Sequence, residues 1–88
     1  MNRTVLMIED NEQNRYLATF LLERRGHSVV SSADGPSGIE EAARLRPDII
    51  LLDIQLPGLD GYAVARALRQ NPALDAIPIV AVTSYAMP

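Results

Sequence analysis

The chain has 88 residues, of which 48% are apolar and 22% are charged, with a net charge of −3 and no cysteine. This balance is typical of a one-domain globular chain, and it excludes a disordered or collagen-like chain, a disulfide scaffold and a thiolate metal site. The basic residues are all arginines, and they are spread along the chain. Because they do not form a cluster, the sequence does not predict nucleic-acid binding. No apolar run is long enough for a signal peptide or a bilayer span, and we therefore predict a cytoplasmic protein that does not contact the membrane.

The first predicted elements are a strand and a helix. Thr4–Ile8 is an apolar, partly β-branched run that leads into a polar loop, as a strand does. Glu12–Arg25 then has helical periodicity, with Asn11 as a good N-cap and Gly26 suited to a left-handed residue after the helix. One face of this helix carries Leu17, Phe20, Leu21 and Arg24.

A second, weaker strand and a second helix follow. His27–Ser31 predicts a strand at the edge of the sheet, because it is short and polar at both ends. The next helix begins at Asp34, with a proline in its first turn, and Pro47 ends it. The inner side of this helix is predicted to carry Ile39, Ala42, Ala43 and Leu45.

The second half of the chain repeats the alternation. Asp48–Asp53 contains consecutive apolar residues without alternation, which is typical of a strand buried on both faces. A loop rich in turn residues separates it from a helix over Tyr62–Gln70. The core positions of this helix are predicted to be Val64, Ala65 and Leu68. Ile77–Val82 is a fourth apolar strand, with Pro78 near its start.

This alternation of strands and helices predicts the fold class. Parallel strands joined by helices form an α/β fold with a doubly wound sheet that is covered on both faces. In such sheets, ligands bind outside the carboxyl ends of the strands. The residues that follow each strand are therefore the candidates for function.

Acidic side chains follow two of the predicted strands, and a hydroxyl follows another. Glu9 and Asp10 come after the first strand, Asp53 ends the third, and Thr83 follows the fourth. If the first and third strands are neighbours, three carboxylates meet and need a counter-charge, since like charges oppose one another's ionisation. Magnesium suits such oxygen ligands, and the backbone carbonyl of Gln55 is a further candidate ligand. We predict that Asp53 accepts a phosphoryl group there, and that Thr83 donates a hydrogen bond to that group.

Each of these residues has a plainer interpretation when it is taken alone. A carboxylate at a strand end is often only a loop or cap residue, and we interpret Asp48 and Asp60 in that way. A hydroxyl such as that of Thr83 is common in turns. A phosphatase or kinase of related architecture is not favoured, because the chain lacks a Gly-rich phosphate loop and Asp53 has no second acid beside it.

The chain resembles the receiver domain of two-component response regulators, and single-domain receivers in particular, along its whole length. The segments that carry the resemblance are Val5–Asn11, Ile50–Gly61 and Ile77–Thr83. It implies a flavodoxin-like sheet of order 2-1-3-4, with Asp53 as the phosphoacceptor, Glu9 and Asp10 as the acidic pair that holds Mg²⁺, and Thr83 as the switch hydroxyl. It also implies a histidine kinase or phosphotransfer protein as the donor. Such a domain is not a conventional enzyme, and its chemistry is at most self-phosphorylation and autodephosphorylation.

The chain departs from the family after its fourth strand. Family members continue through a fourth helix, a fifth strand that ends in a phosphate-contacting lysine, and a fifth helix, whereas this sequence stops at Pro88 and has no lysine. We therefore expect residues 1–88 to form a single truncated receiver domain. Its fourth strand then becomes an open edge, which favours self-association. The alternative function is a protein-interaction or dimerisation module of the same fold that does not switch with phosphate.

Overall fold

The computed structural model of the chain describes residues 3–54 and 61–82. Within these ranges, strands and helices alternate in the predicted order. The elements are β1 (Thr4–Ile8), α1 (Glu12–Arg24), β2 (Ser28–Ser32), α2 (Gly35–Leu45), β3 (Ile49–Asp53), α3 (Gly61–Arg69) and β4 (Ile79–Val82). A 3-10 turn over Pro72–Leu74 connects α3 to β4. No helix in these two ranges combines the length and the hydropathy that crossing a membrane requires.

The strands form one parallel sheet of order β2-β1-β3-β4. This order confirms the predicted fold class, and it places β2 at an edge as predicted. Because β1 and β3 are neighbours, with Ile8 opposite Leu52, their carboxyl ends lie side by side. The pairing of these two strands therefore brings Glu9 and Asp53 to the same part of the sheet edge.

The core lies between the sheet and the helices α2 and α3. Alternate residues of β1 and β3 face this side, where they pack on both helices and on the 3-10 turn. The buried members are Leu6, Ile8, Ala42, Ile50, Leu52, Val64, Leu68 and Leu74. Helix α2 lies so close to β1 that a Cβ on Gly38 would be 2.5 Å from Cδ1 of Ile8. The prediction that Ala43 faces inward is wrong, because Ala43 is exposed and Gly38 occupies the inner side.

The other side of the sheet is covered less completely. Helix α1 lies on this side, and β2 is the described element with which it makes most of its contacts. None of its residues is fully buried. The apolar face that the sequence indicates is exposed at Leu17, Phe20 and Leu21. The side that faces the sheet includes Ala18 and Leu22, which are half-buried. The periodicity of α1 therefore predicted the helix but not its packing surface.

Local contacts determine where the helices begin and end. Oδ1 of Asn11 accepts a hydrogen bond from the backbone N of Asn14 at 2.9 Å, so Asn11 is the N-cap of α1. Oδ1 of Asp34 accepts one from the backbone N of Ser37 at 2.8 Å and caps α2 in the same way. Gly26 has a φ of 90°, in the left-handed region predicted for it. Asn11 and Gly26 have the roles that the sequence predicted, and Asp34, predicted as the start of the helix, is the residue directly before it.

Strand β4 begins at Ile79, later than predicted. The backbone N–H of Ile77 donates to the carbonyl of Leu74 at 3.0 Å, and Pro78 has no N–H to offer to a strand. Arg69 holds this connection, because its Nη1 donates to the carbonyl of Leu74 at 3.0 Å and its Nη2 to that of Ile77 at 2.9 Å. The chain before Ile79 is therefore a clamped turn and not part of the strand.

Candidate metal centre

Three carboxylates meet at the carboxyl edge of the sheet. Oxygen atoms of Glu9, Asp10 and Asp53 all lie within 4.8 Å of one another. Glu9 and Asp10 directly follow β1, and Asp53 is the last residue of β3. The structure thus brings together the three carboxylates that the sequence predicted to meet, because the strands that carry them are neighbours.

The three carboxylates differ in exposure and in electrostatics. Asp53 is 0% exposed and Glu9 is 5% exposed, whereas Asp10 is open to solvent. Burial raises the pKa of Glu9 above its ordinary value, and the neighbouring carboxyl of Asp53 raises this pKa further. The backbone N–H of Asn11 acts in the opposite direction and lowers the pKa of Glu9. Burial and the neighbouring carboxyl of Asp53 thus both disfavour the ionised form of Glu9 at this edge.

The donor set fits a small, hard cation. Carboxylate oxygens are the ligands that Mg²⁺ prefers. Each of the three residues offers such an oxygen, and these oxygens lie within 4.8 Å of one another. A dication would also remove the repulsion that raises the pKa of Glu9. Glu9, Asp10 and Asp53 are therefore the residues that would hold the ion.

Contacts from β2 and from the loop and helix that follow β1 hold Glu9 in place. The backbone N–H of Glu9 donates to the carbonyl of Ser32 at 3.0 Å. Its carbonyl accepts a hydrogen bond from Nη1 of Arg15 at 2.8 Å, and its Oε2 accepts one from the backbone N of Asn11 at 3.2 Å. Sequence reasoning missed Arg15, because nothing in the pattern distinguishes it from the other arginines before α1 is folded.

The backbone after Asp53 is held by β4 and by the start of α3. The N–H of Ile54 donates to the carbonyl of Val82 at 3.1 Å, and the N–H of Gly61 donates to the carbonyl of Ile54 at 3.3 Å. A Cβ on Gly61 would overlap the Cα of Ile54 and lie 2.9 Å from the carbonyl oxygen of Asp53. Helix α3 therefore starts directly against the backbone that carries Asp53, and only glycine leaves room for this contact.

Two of the predicted site residues, Gln55 and Thr83, lie outside the described residues, as does Asp60. Their roles stay predictions. Asp48 accepts a hydrogen bond from the backbone N of Thr4 at 2.8 Å through its Oδ2. This contact joins the starts of β1 and β3, at the opposite end of the sheet from the three carboxylates, and it agrees with the structural interpretation of Asp48.

A family model described as the response regulator receiver domain matches residues 5–88. The chain belongs to the response regulator receiver family. Its curated relatives include the polar-differentiation response regulators DivK of Brucella anthropi and Brucella ovis, which are 39% and 38% identical to this receiver over 87 residues. Each match covers 99% of this chain and 71% of the relative.

Solved receiver structures have the same fold. One match is the receiver domain of the sensor histidine kinase PA1611 from Pseudomonas aeruginosa PAO1, with a TM-score of 0.90 and 36% identity over 99% of this chain and 71% of that one. That structure has a magnesium ion coordinated in its active site cleft. The chemotaxis protein CheY4 of Vibrio cholerae matches with a TM-score of 0.90 and 26% identity over 100% and 73%. The chain is thus a flavodoxin-like receiver domain of two-component signalling. The alternative, an interaction module without phosphate switching, is not favoured.

Proposed function

We propose that this receiver domain accepts a phosphoryl group on Asp53 from a histidine kinase or a histidine phosphotransfer protein, with Mg²⁺ as its cofactor. The observation that carries the proposal is the meeting of three carboxylates within 4.8 Å. The family membership and the magnesium ion in the cleft of the Pseudomonas aeruginosa relative support the same chemistry. Glu9, Asp10 and Asp53 would hold the cation, together with the backbone carbonyl of Gln55.

In the proposed step, a carboxylate oxygen of Asp53 attacks the phosphorus atom of a phosphohistidine. The O–P bond forms as the P–N bond breaks, and the imidazole nitrogen leaves with the bonding electron pair. When bound, Mg²⁺ neutralises charge on the transferring oxygens. Water later hydrolyses the acyl phosphate to carboxylate and inorganic phosphate. The domain therefore carries the group on its own side chain and is not a conventional enzyme.

The surroundings of Asp53 suit an acceptor. Asp53 is buried at the end of a strand that is paired on both sides, so the backbone that carries its carboxylate is held in place. The exposed Asp10 lies on the solvent side of the cluster, from which a donor must approach. We assign Thr83 the role of donating a hydroxyl hydrogen bond to the transferred phosphoryl group, which biases the segment after β4 between two states.

The test is phosphorylation by a small donor. The chain is incubated with Mg²⁺ and phosphoramidate, and its mass is measured; we expect the addition of one phosphoryl group. Asp53→Asn abolishes the addition, because an amide oxygen is a poor nucleophile. The matched control is Asp48→Asn, which removes a carboxylate next to the other end of β3 and should leave the addition unchanged. An intact chain that gains no mass, or an Asp53→Asn variant that still gains it, would contradict the proposal.

A second proposal concerns self-association through β4. Among the described strands β4 is an outer one, where Val80 and Val82 are 41% and 38% exposed, and edge strands offer unpaired backbone groups to other strands. We expect a second copy of the chain to pair along this edge. Light scattering over a range of concentrations measures it, and a monomer at every concentration would contradict it.

A further inference from the structure

Arg15 lies next to the acidic cluster. Its Nη1 donates to the backbone carbonyl of Glu9 at 2.8 Å, in a partly buried contact. Other arginines make contacts elsewhere: Arg44 pairs with Glu41 on the surface of α2, and Arg69 clamps the turn before β4. Among the hydrogen bonds of the described arginines, the one from Arg15 reaches a residue of the three-carboxylate site.

This hydrogen bond acts on one peptide group. The carbonyl of Glu9 belongs to the peptide that leads into Asp10, while the N–H of Glu9 is bonded to the carbonyl of Ser32 at 3.0 Å. A peptide group is planar, and a charge-assisted hydrogen bond to its oxygen fixes the direction of that plane. Because Asp10 follows the peptide directly and is exposed, the placement of its carboxylate depends on this plane.

The start of α1 keeps Arg15 in position. The backbone N–H of Arg15 donates to the carbonyl of Asn11 at 3.0 Å, and the side chain of Asn11 caps the helix through the backbone N of Asn14 at 2.9 Å. The side chain of Arg15 then reaches back to the end of β1. Residues 9–15 thus include the turn after β1 and the first turn of α1, and hydrogen bonds within this segment hold it next to the acidic pair.

We propose that Arg15 is a positioning residue for the binding of a divalent cation: by holding the peptide between Glu9 and Asp10, it keeps two of the three carboxylates in place as ligands. This inference rests on the proposed function. An arginine that acted only by its charge would weaken Mg²⁺ binding, because its positive group repels the metal cation. The direction of the change in Mg²⁺ affinity therefore distinguishes positioning from charge.

The experiment measures Mg²⁺ affinity by isothermal titration calorimetry on the whole chain. Arg15→Met keeps most of the side-chain stem but removes the donor and the charge, and we expect Mg²⁺ to bind about tenfold more weakly, as for other residues that orient metal ligands. Arg15→Lys restores a donor, and its affinity should lie within about threefold of the parent chain. The matched control is Arg24→Met on the same helix, since Arg24 stacks on Phe20 and not on the site; its affinity should be unchanged.

Several outcomes would overturn the inference. They are an unchanged or tighter Mg²⁺ affinity in Arg15→Met, an equal loss in Arg24→Met, and no recovery in Arg15→Lys. If circular dichroism shows that Arg15→Met does not fold, Arg15→Leu, which also lacks a donor and a charge, takes its place in the same comparison. A parent chain that binds Mg²⁺ but takes no phosphoryl group from phosphoramidate would contradict the proposed function and leave this inference standing.

Discussion

On one side of the sheet, α2 and α3 cover alternate residues of β1 and β3, and side chains such as Ile50 and Leu52 are buried. On the other side, α1 lies over the β2 edge, and Leu17 and Leu21 are 56% and 52% exposed. Both sides are built from apolar residues. The comparison shows that apolar periodicity identifies the faces that are able to pack, whereas burial depends on which elements lie across from them. We expect folding stability to come mainly from the α2 and α3 side.

The largest expected effect is on that packed side. Leu52→Ala should lower the free energy of unfolding by about 3 kcal/mol, because it leaves a cavity in the core. The matched variant, Leu21→Ala on α1, removes the same atoms from an exposed position and should cost less than about 1 kcal/mol. Urea denaturation monitored by circular dichroism measures both. Similar losses would show that α1 packs more tightly than its exposure indicates.

A somewhat smaller effect is expected where α3 meets the acceptor strand. Gly61→Ala should cost about 2 kcal/mol, because the new Cβ meets backbone atoms that do not rotate away. It should also weaken Mg²⁺ binding, since the displaced backbone carries Asp53.

Gly38→Ala serves as the comparison for this variant. The Cβ that it adds meets side-chain atoms of the buried Ile8 and not the backbone that carries Asp53, so it should also destabilise the chain but leave Mg²⁺ affinity unchanged. Denaturation and calorimetric titration provide the two readouts. If Gly61→Ala binds Mg²⁺ as the parent chain does, the contact between Gly61 and the Asp53 backbone does not position the site.

The third prediction concerns pH and the acidic edge. The folded-state pKa of Glu9 is raised above its ordinary value of 4.5 by burial and by Asp53, so the folded chain binds this proton more tightly than the unfolded chain does. The stability contributed by this group is present below pH 4.5 and is lost as the pH rises through the raised pKa. Without metal, Glu9→Gln should therefore be more stable than the parent chain at neutral pH.

Urea midpoints in the presence of a chelator, measured from pH 4 to pH 8, test this prediction. The advantage of Glu9→Gln should shrink toward low pH, and Mg²⁺ should stabilise the parent chain more than the variant. A variant that is less stable than the parent chain at neutral pH without metal would show that burial and the carboxyl of Asp53 do not destabilise the ionised form of Glu9.

The smallest effect is expected at β4, the outer strand of the described sheet. Val80→Ser should change the free energy of unfolding by less than about 0.5 kcal/mol, because the side chain is already partly in solvent. It should nevertheless reduce self-association through β4. Denaturation at low concentration and light scattering at high concentration measure the two effects. A large loss of stability with no change in association would mean that this edge packs within one chain.

Much of the candidate site was predictable because its residues lie directly at the ends of strands in the sequence. Glu9 and Asp10 directly follow one strand and Asp53 ends another, and parallel strands place such residues at one edge. The supporting contacts were not predictable in the same way. Arg15 is one arginine among several, and Gly61 reads only as a turn residue until α3 is placed against Asp53.

Taken by itself, the sequence determined the alternation of strands and helices, their boundaries within about one residue apart from the start of β4, and the three carboxylates that meet at the edge of the sheet. These features depend on local periodicity, caps and turn residues, which act over a few positions of the chain. Only the tertiary structure decided that Leu17 and Leu21 stay exposed, that Gly38 and not Ala43 faces the core, and that Arg15 reaches the carbonyl of Glu9. These features depend on which surfaces meet across the fold. The local sequence pattern does not say which residues that are far apart in the chain come into contact.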